Sequence, residues 1–333
     1  MDRERLEQDL RNHFSAEVKE VEPSRSWWHN AISRVVVQRH RSRWSGLIPK
    51  TRLAWAFLPL IVLLVGGAVY GASSLLSELF QKHAPQIEEA GLAQELDLSQ
   101  TINGITVSLE RAYADSNVVL VGFTVSGPDA RYQPEVGELF TADGQKLPGM
   151  IGVGSRSKEI MGNWNASELA MIYTFDTSSL KDVSSELSLI LETEVADLPV
   201  IGKSQTLAGT FKFEFIVPFH SGKSINIGQT VEAAGVSVTL DKVVISHWGA
   251  RAVLQLPNGD KYAPIVSLAF PNGDSVNGVF SKHMDASMVN YFTGDFTGQS
   301  GVWTMNVSEL VLVNTDTPQQ RLAGPWVCQF DVP

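Results

Sequence analysis

Residues 104–111 read Gly-Ile-Thr-Val-Ser-Leu-Glu-Arg, and residues 235–242 read Gly-Val-Ser-Val-Thr-Leu-Asp-Lys. The two segments share a leading glycine, an alternation of apolar and hydroxyl side chains, and an acid–base end. Alternation with a period of two marks a strand with one buried face. Recurrence at a fixed offset marks a duplicated unit. Three further pairs follow in the same order. Leu139-Phe-Thr-Ala-Asp-Gly144 matches Ala269-Phe-Pro-Asn-Gly-Asp274. Tyr173-Thr-Phe175 followed by Ser185-Glu-Leu-Ser-Leu-Ile-Leu191 matches Trp303-Thr-Met305 followed by Ser308-Glu-Leu-Val-Leu-Val313. Gly209-Thr-Phe-Lys-Phe-Glu-Phe-Ile-Val-Pro218 matches Gly324-Pro-Trp-Val-Cys-Gln-Phe-Asp-Val-Pro333.

From Ser99 onward, Val, Ile, Thr and Phe alternate with polar residues, and Gly, Pro, Asn and Asp punctuate the chain about every ten residues. That texture is the mark of a β-sandwich. The fold expected is therefore mainly β, with two tandem immunoglobulin-like β-sandwich domains over residues 99–218 and 219–333. In the closing strand of each copy one face is apolar: Phe211, Phe213, Phe215 and Val217, then Trp326, Cys328, Phe330 and Val332. Cys328 is the only cysteine. Its place on that face makes it a small core residue. One cysteine excludes an internal disulfide and any zinc site needing two thiolates from this chain.

N-terminal to the first copy, residues 77–98 form a polar, Glu-rich stretch with helical character on both sides of Pro85, read as a juxtamembrane stalk. Before it, residues 53–76 read LAWAFLPLIVLLVGGAVYGASSLL, within 25 residues that carry no charge. About 20 apolar residues cross a bilayer core as a helix. Trp55 and Tyr70 stand near its two ends, where aromatic rings suit the headgroup layer. Residues 53–76 are thus expected to be a transmembrane helix. Residues 23–52 hold seven cations and no acid, which keeps the N-terminus in the cytoplasm and the β domains outside.

The charges divide accordingly. Residues 1–52 carry 11 Lys/Arg and 7 Asp/Glu, a net of +4. Residues 78–333 carry 15 and 29, a net of −14, and the sum is the −10 of the whole chain. An acidic balance excludes a general nucleic-acid binder, which needs a basic surface.

The cytoplasmic segment 1–52 is expected to be helical. Leu6, Leu10, Phe14 and Val18 recur every four residues, so they share one helix face. After Pro23, Ser24 or Ser26 caps a second helix with the stripe Trp27, Trp28, Ile32, Val35 and Val36. Two short helices cannot bury a core alone, so these faces need another surface. A protein groove and the anionic inner leaflet both fit the second helix, which runs into Arg39, His40, Arg41 and Arg43. The first helix, with charges of mixed sign, suits a protein partner. The candidate partner-binding residues are Leu6, Leu10, Phe14, Val18, Trp27, Trp28 and Ile32.

No catalytic constellation stands out, so no enzyme activity, catalytic residue, cofactor or metal site is expected. HExxH, GxSxG, P-loop and Rossmann patterns are absent. The outer histidines, His83, His220, His247 and His283, lack metal-ligand spacing. Residues 149–154, GMIGVG, read as a mobile loop. Pro-Asn-Gly-Asp at 257–260 and 271–274 reads as tight turns, as does Asp115-Ser116-Asn117. Trp164, His247-Trp248 and Tyr291-Phe292 sit amid turn residues, where aromatics either cap the core or contact a sugar or partner.

Gly104-Ile-Thr-Val-Ser-Leu-Glu-Arg-Ala-Tyr-Ala-Asp115 followed by Val118-Val-Leu-Val-Gly-Phe-Thr-Val125 resembles an uncharacterised extracytoplasmic family. Its members are bacterial single-pass membrane proteins, often encoded beside extracytoplasmic-function sigma factors. They have a short cytoplasmic N-terminus, one span and outer β domains. The resemblance implies an anti-sigma-factor-like regulator with a sigma factor as cytoplasmic partner. The chain departs from the zinc type of anti-sigma domain, having no His…Cys-x-x-Cys before residue 52. Two functions stand open at this level. One is a membrane regulator coupling an outer signal, through an unknown extracytoplasmic ligand, to an inner partner. The other is a membrane-anchored surface binding or adhesion module whose residues 1–52 only set topology.

Overall fold

The hairpin that opens each repeat follows from two backbone positions. Asn103 and Gly104 have φ of 54° and 80°, and Ala234 and Gly235 have 50° and 73°. Two consecutive left-handed residues make the two-residue turn whose twist suits antiparallel strands. Ile102 accordingly pairs with Ile105, and Ala233 with Val236. The shared glycine is thus the second turn residue, where the lack of a Cβ removes the strain.

The structure, a computed structural model, describes residues 74–127, 132–134, 137–156, 168–197, 207–256, 261–284, 287–312 and 321–333. All of these fall in one compact unit, Val62–Pro333. The chain is mainly β. In the first β unit one sheet runs in the order β1 (Gln94–Ile102), β2 (Ile105–Asp115), β3 (Val118–Ser126), β8 (Glu168–Asp176), β7 (Gly149–Arg156). The facing sheet runs β6 (Lys146–Leu147), β5 (Glu138–Thr141), β9 (Glu186–Asp197), β10 (Leu207–His220), with β4 (Tyr132–Pro134) also paired to β9. A short parallel link, Phe219 beside Ala114 and His220 beside Asp115, joins β10 to β2. In the second β unit one sheet runs β11 (Lys223–Ala233), β12 (Val236–Ile245), β13 (Gly249–Gln255), β17 (Ser287–Thr293), β16 (Phe280–Met284). The other runs β15 (Ser275–Asn277), β14 (Tyr262–Ala269), β18 (Gly301–Leu312), β19 (Arg321–Val332).

Strand for strand the two orders coincide. So do the irregularities. The register shifts between Leu109 and Arg111 in β2 and between Leu240 and Lys242 in β12, again 131 residues apart. The turns after β5 and β14 also match: Gly144 N–H donates to Thr141 O, and Gly273 N–H to Phe270 O. Two expected correspondences are corrected. Thr141, not Phe140, is the counterpart of Phe270, because the two amides donate alike to Gln145 O and Asp274 O. Tyr173-Thr-Phe175 lies in β8, whose counterpart is β17, so its equivalent is Asn290-Tyr-Phe292. Trp303-Thr-Met305 lies in β18, opposite Phe330 and Cys328, and corresponds to Leu189-Ile-Leu191, opposite Phe215 and Phe213. An alternating strand fits any other alternating strand of similar bulk, so periodicity alone misassigned the pair.

Each unit closes around its own core. Val119, Val121, Phe123, Tyr173 and Phe175 of one sheet meet Leu189, Leu191, Phe211, Phe213 and Phe215 of the other. Leu240, Ala252, Leu254 and Phe292 meet Leu268, Trp303, Met305 and Trp326 in the second unit. The indole N–H of Trp326 donates to Val236 O at 2.7 Å.

The expected stalk is also corrected. Residues 74–89 form α1 (Ser74–His83) and α2 (Pro85–Glu89), and β1 begins at Gln94. Leu76, Leu79, Phe80, Ala84 and Ile87 are buried. Leu76 closes the expected span 53–76, yet it packs on protein. Among the described residues no helix is long and apolar enough to cross a membrane. Residues 1–73, with the rest of that span and every candidate partner-binding residue, lie outside the described residues. The loop expected at 149–154 is the edge strand β7. Its glycines make room for β8: a Cβ at Gly154 would lie 2.3 Å from Met171 Sδ.

Candidate functional site: the seam between the two β units

A third apolar cluster joins three bodies. Leu76, Leu79, Phe80, Ala84 and Ile87 come from α1–α2. Tyr113, Val118, Leu120, Ala170 and Ile172 come from the outer face of the first unit's β2–β3–β8 sheet. Trp248, Val253, Val289 and Tyr291 come from the second unit. The stripe on α1 is helical in spacing: residues 76, 79 and 80 share one face. Burying Leu76, Leu79, Phe80 and Ile87 is worth roughly 1.5–3 kcal/mol each, as an upper bound.

The docking is shaped to fit. A Cβ at Gly122 in β3 would lie 2.5 Å from Phe80 Cε2 and 3.1 Å from Leu76 Cδ1. The Phe80 ring therefore rests on a position that only glycine leaves open. Arg111 of β2 donates through Nη1 to both carboxylate oxygens of Glu88 in α2, at 2.7 and 2.8 Å, and pairs with Glu95. Gln86 Nε2 donates to Trp248 O at 2.7 Å, tying α2 to the second unit.

The polar part of the seam centres on Asp115, which is wholly buried. Its Oδ1 accepts from the amides of Asn117 and Val118 at 2.7 and 2.9 Å. Its Oδ2 accepts from Tyr113 OH at 2.6 Å and from the Trp248 amide at 3.2 Å. Asn117 Nδ2 reaches across to Val244 O, Ser246 Oγ and Gly249 O at 3.2, 2.8 and 3.2 Å. Burial, with the adjacent Asp115 carboxylate, pushes the Tyr113 phenol far up, so it stays a neutral donor. Tyr113 also stacks on His220, with centroids 5.4 Å apart, and His220 meets His247 at 6.0 Å. Burial and the neighbouring His247 hold His220 below the usual imidazole value, against a pull upward from Asp115.

A second polar bridge crosses the seam farther along. Asp176 of β8, also wholly buried, lies 3.9 Å from Arg251 Nη1 and 3.5 Å from Lys282 Nζ of the second unit. Its two oxygens also accept from the Ser178 amide and hydroxyl at 2.7 and 2.8 Å. Desolvation, with the Asp176 charge, pushes the Tyr291 phenol up as well.

Both phenols are held neutral, and burial pushes the Cys328 thiol up on its core face. Among the described residues no three His, Cys, Asp or Glu side chains gather as metal ligands. What the arrangement does is hold three bodies in one relation. Of the aromatics singled out in turns, Trp248, Tyr291 and Phe292 are core residues, the first two in the seam. Trp164 lies outside the described residues. Asp115-Ser116-Asn117 is a turn as expected, and it is also the main polar contact between the units. Two signals could have found the seam: the unbroken apolar run of residues 118–121, and the 76-79-80 stripe, which runs from the end of the expected span into the stretch read as polar.

Residues 48–127 match the family DUF4179, a domain of unknown function. That stretch takes in the whole uncharged run, α1, α2 and β1–β3, including both Phe80 and Gly122. The crystal structure of a conserved domain protein from Bacillus anthracis is similar, with TM-score 0.51 and 14% identity, covering 79% of this chain and 94% of that one. Of 333 residues, 79% is about 263. The first β unit from 94 to 220 is 127 residues, so the likeness extends well beyond one unit, and the two chains share a fold. The YadV chaperone aligns at 10% identity over 69% of this chain and 100% of its own, with TM-score 0.21. The Salmonella enterica SafA pilin in complex with the SafB chaperone aligns at 10% identity over 70% and 98%, also with TM-score 0.21. Scores that low carry no weight. No curated protein matches.

Proposed function

We propose that the chain is a single-pass membrane regulator of anti-sigma-factor type. Its tandem immunoglobulin-like sandwiches stand outside the membrane. Residues 1–52 grip a cytoplasmic partner, a sigma factor by class, through Leu6, Leu10, Phe14, Val18, Trp27, Trp28 and Ile32. The observation that carries the reading is the uncharged run with seven cations and no acid on its N-terminal flank. Because Leu75 and Leu76 pack on protein, the span is drawn over residues 53–73. Twenty-one residues rise about 32 Å as a helix, enough for a hydrocarbon core of about 30 Å. The first β unit then stands against the membrane with no free stalk beneath it.

Two measurements test this. Protease added outside intact cells should remove the β units and spare residues 1–52; protection of the β units sinks the topology. Residues 1–52 used as bait should recover a specific cytoplasmic protein, and Leu10→Ala with Phe14→Ala should abolish the recovery. Wild-type bait that recovers nothing above background ends the regulatory reading in favour of a surface module.

A further inference from the structure

We propose that α1–α2 and the seam between the two β units form a single two-state element, in which undocking the helices and parting the units are one event. Trp248 is where the three bodies meet. Its carbonyl accepts from Gln86 of α2, its amide donates to Asp115 of the first unit, and its ring lies in the third apolar cluster, 6.2 Å from Tyr291. No two bodies complete that cluster without the third. Withdrawal of α1–α2 uncovers Gly122, Leu120 and Ile172, and frees the carbonyl of Trp248 from Gln86. Separation of the units removes Trp248 from α2 and Tyr291 from the cluster. Packed interfaces of this kind switch between discrete arrangements and do not stretch continuously.

The helices continue the end of the uncharged run, so a ligand or force that changes how the two units meet changes the hold on the chain entering the membrane. That use in signalling rests on the membrane-regulator reading; the coupling itself does not. The stretch 48–127 matched by the family contains both the docking helix and its receptor strand β3.

Hydrogen exchange read by mass spectrometry on the full-length chain in detergent micelles tests the coupling from both sides. Asn117→Ala cuts three hydrogen bonds between the units and none to the helices. It should speed exchange of the amides of residues 76–87 by about 5–150-fold, the usual span of coupling between linked sites. Phe80→Ala acts on the helix side and should speed the amides of Ser246 and Trp248 by a similar factor, because coupling is reciprocal. Retained protection of β9 and β18 certifies that both cores are intact, and Phe80→Leu replaces Phe80→Ala if it is lost. Faster exchange confined to the side that carries the substitution overturns the proposal. Failure of the bait experiment leaves this result standing, and failure here leaves the bait experiment standing.

Discussion

β3 and β10 both border β2 and both feed the first core, yet they are built differently. In β10, Phe211, Phe213, Phe215 and Val217 point inward, while Lys212, Glu214, Ile216 and Pro218 are exposed. In β3 every residue from Val118 to Val125 is buried. Val119, Val121 and Phe123 fill the core between the sheets, and Val118 and Leu120 fill the seam. Alternation reports one covering layer, and an unbroken apolar run reports two. β13 shows the same double burial, with Ala250, Ala252 and Leu254 inward and Arg251 and Val253 toward the seam. The two doubly buried strands come from equivalent sheets of the repeat, and both face the same junction.

The contrast breaks most visibly in the outward positions. Leu120→Ala should cost about 2–5 kcal/mol in urea unfolding, the range for a fully buried leucine. Ile216→Ala, on the outward face of β10 and 52% exposed, should stay within about 0.5 kcal/mol. Equal losses would mean that the outer face of β3 is not a core. Separate unfolding of residues 74–89 ahead of the β units would likewise place α1 outside the cooperative unit.

Much of the architecture was legible in residues alone. The closing strands with their shared Gly and Pro ends, and the core placement of Cys328, follow from local chemistry. The third repeat match failed because bulky alternating strands are interchangeable on the page. The seam stayed hidden for a different reason. Its members, Phe80, Gly122 and Trp248, are far apart in sequence and belong to three separate elements. Gly122 in particular has no local signature, since its glycine is required by a ring 42 positions earlier. Composition also misled: the Glu-rich character of residues 77–98 masked a narrow stripe of Leu79, Phe80 and Ile87.

A smaller effect separates a turn that bridges the units from a turn that only reverses the chain. Asp115→Asn should cost about 1–3 kcal/mol, because the buried acceptor for two turn amides, Tyr113 OH and the Trp248 amide is replaced by a group with an unmatched donor. The same change at Asp274, in the exposed turn after β14, should change the free energy of unfolding in urea by no more than about 0.5 kcal/mol. Comparable losses at both would assign Asp115 an ordinary turn role and detach it from the seam.

The smallest expected effect is a pH slope carried by His220. Burial and His247 lower the folded value of His220 below 6.5. In the window below 6.5 the unfolded chain binds more protons than the folded one, so the contribution is complete above that value and is lost as pH falls. His83 shifts in the same direction, by burial and the Lys82 charge. The comparison therefore needs a His83→Gln background. In that background, stability should decline from pH 7 to pH 5, and His220→Gln should flatten the decline. The depressed Asp143 carboxyl acts in the opposite sense to a raised acid, being lost only below about its usual 3.8, outside this window. A slope unchanged by His220→Gln would place the acid sensitivity elsewhere in the chain.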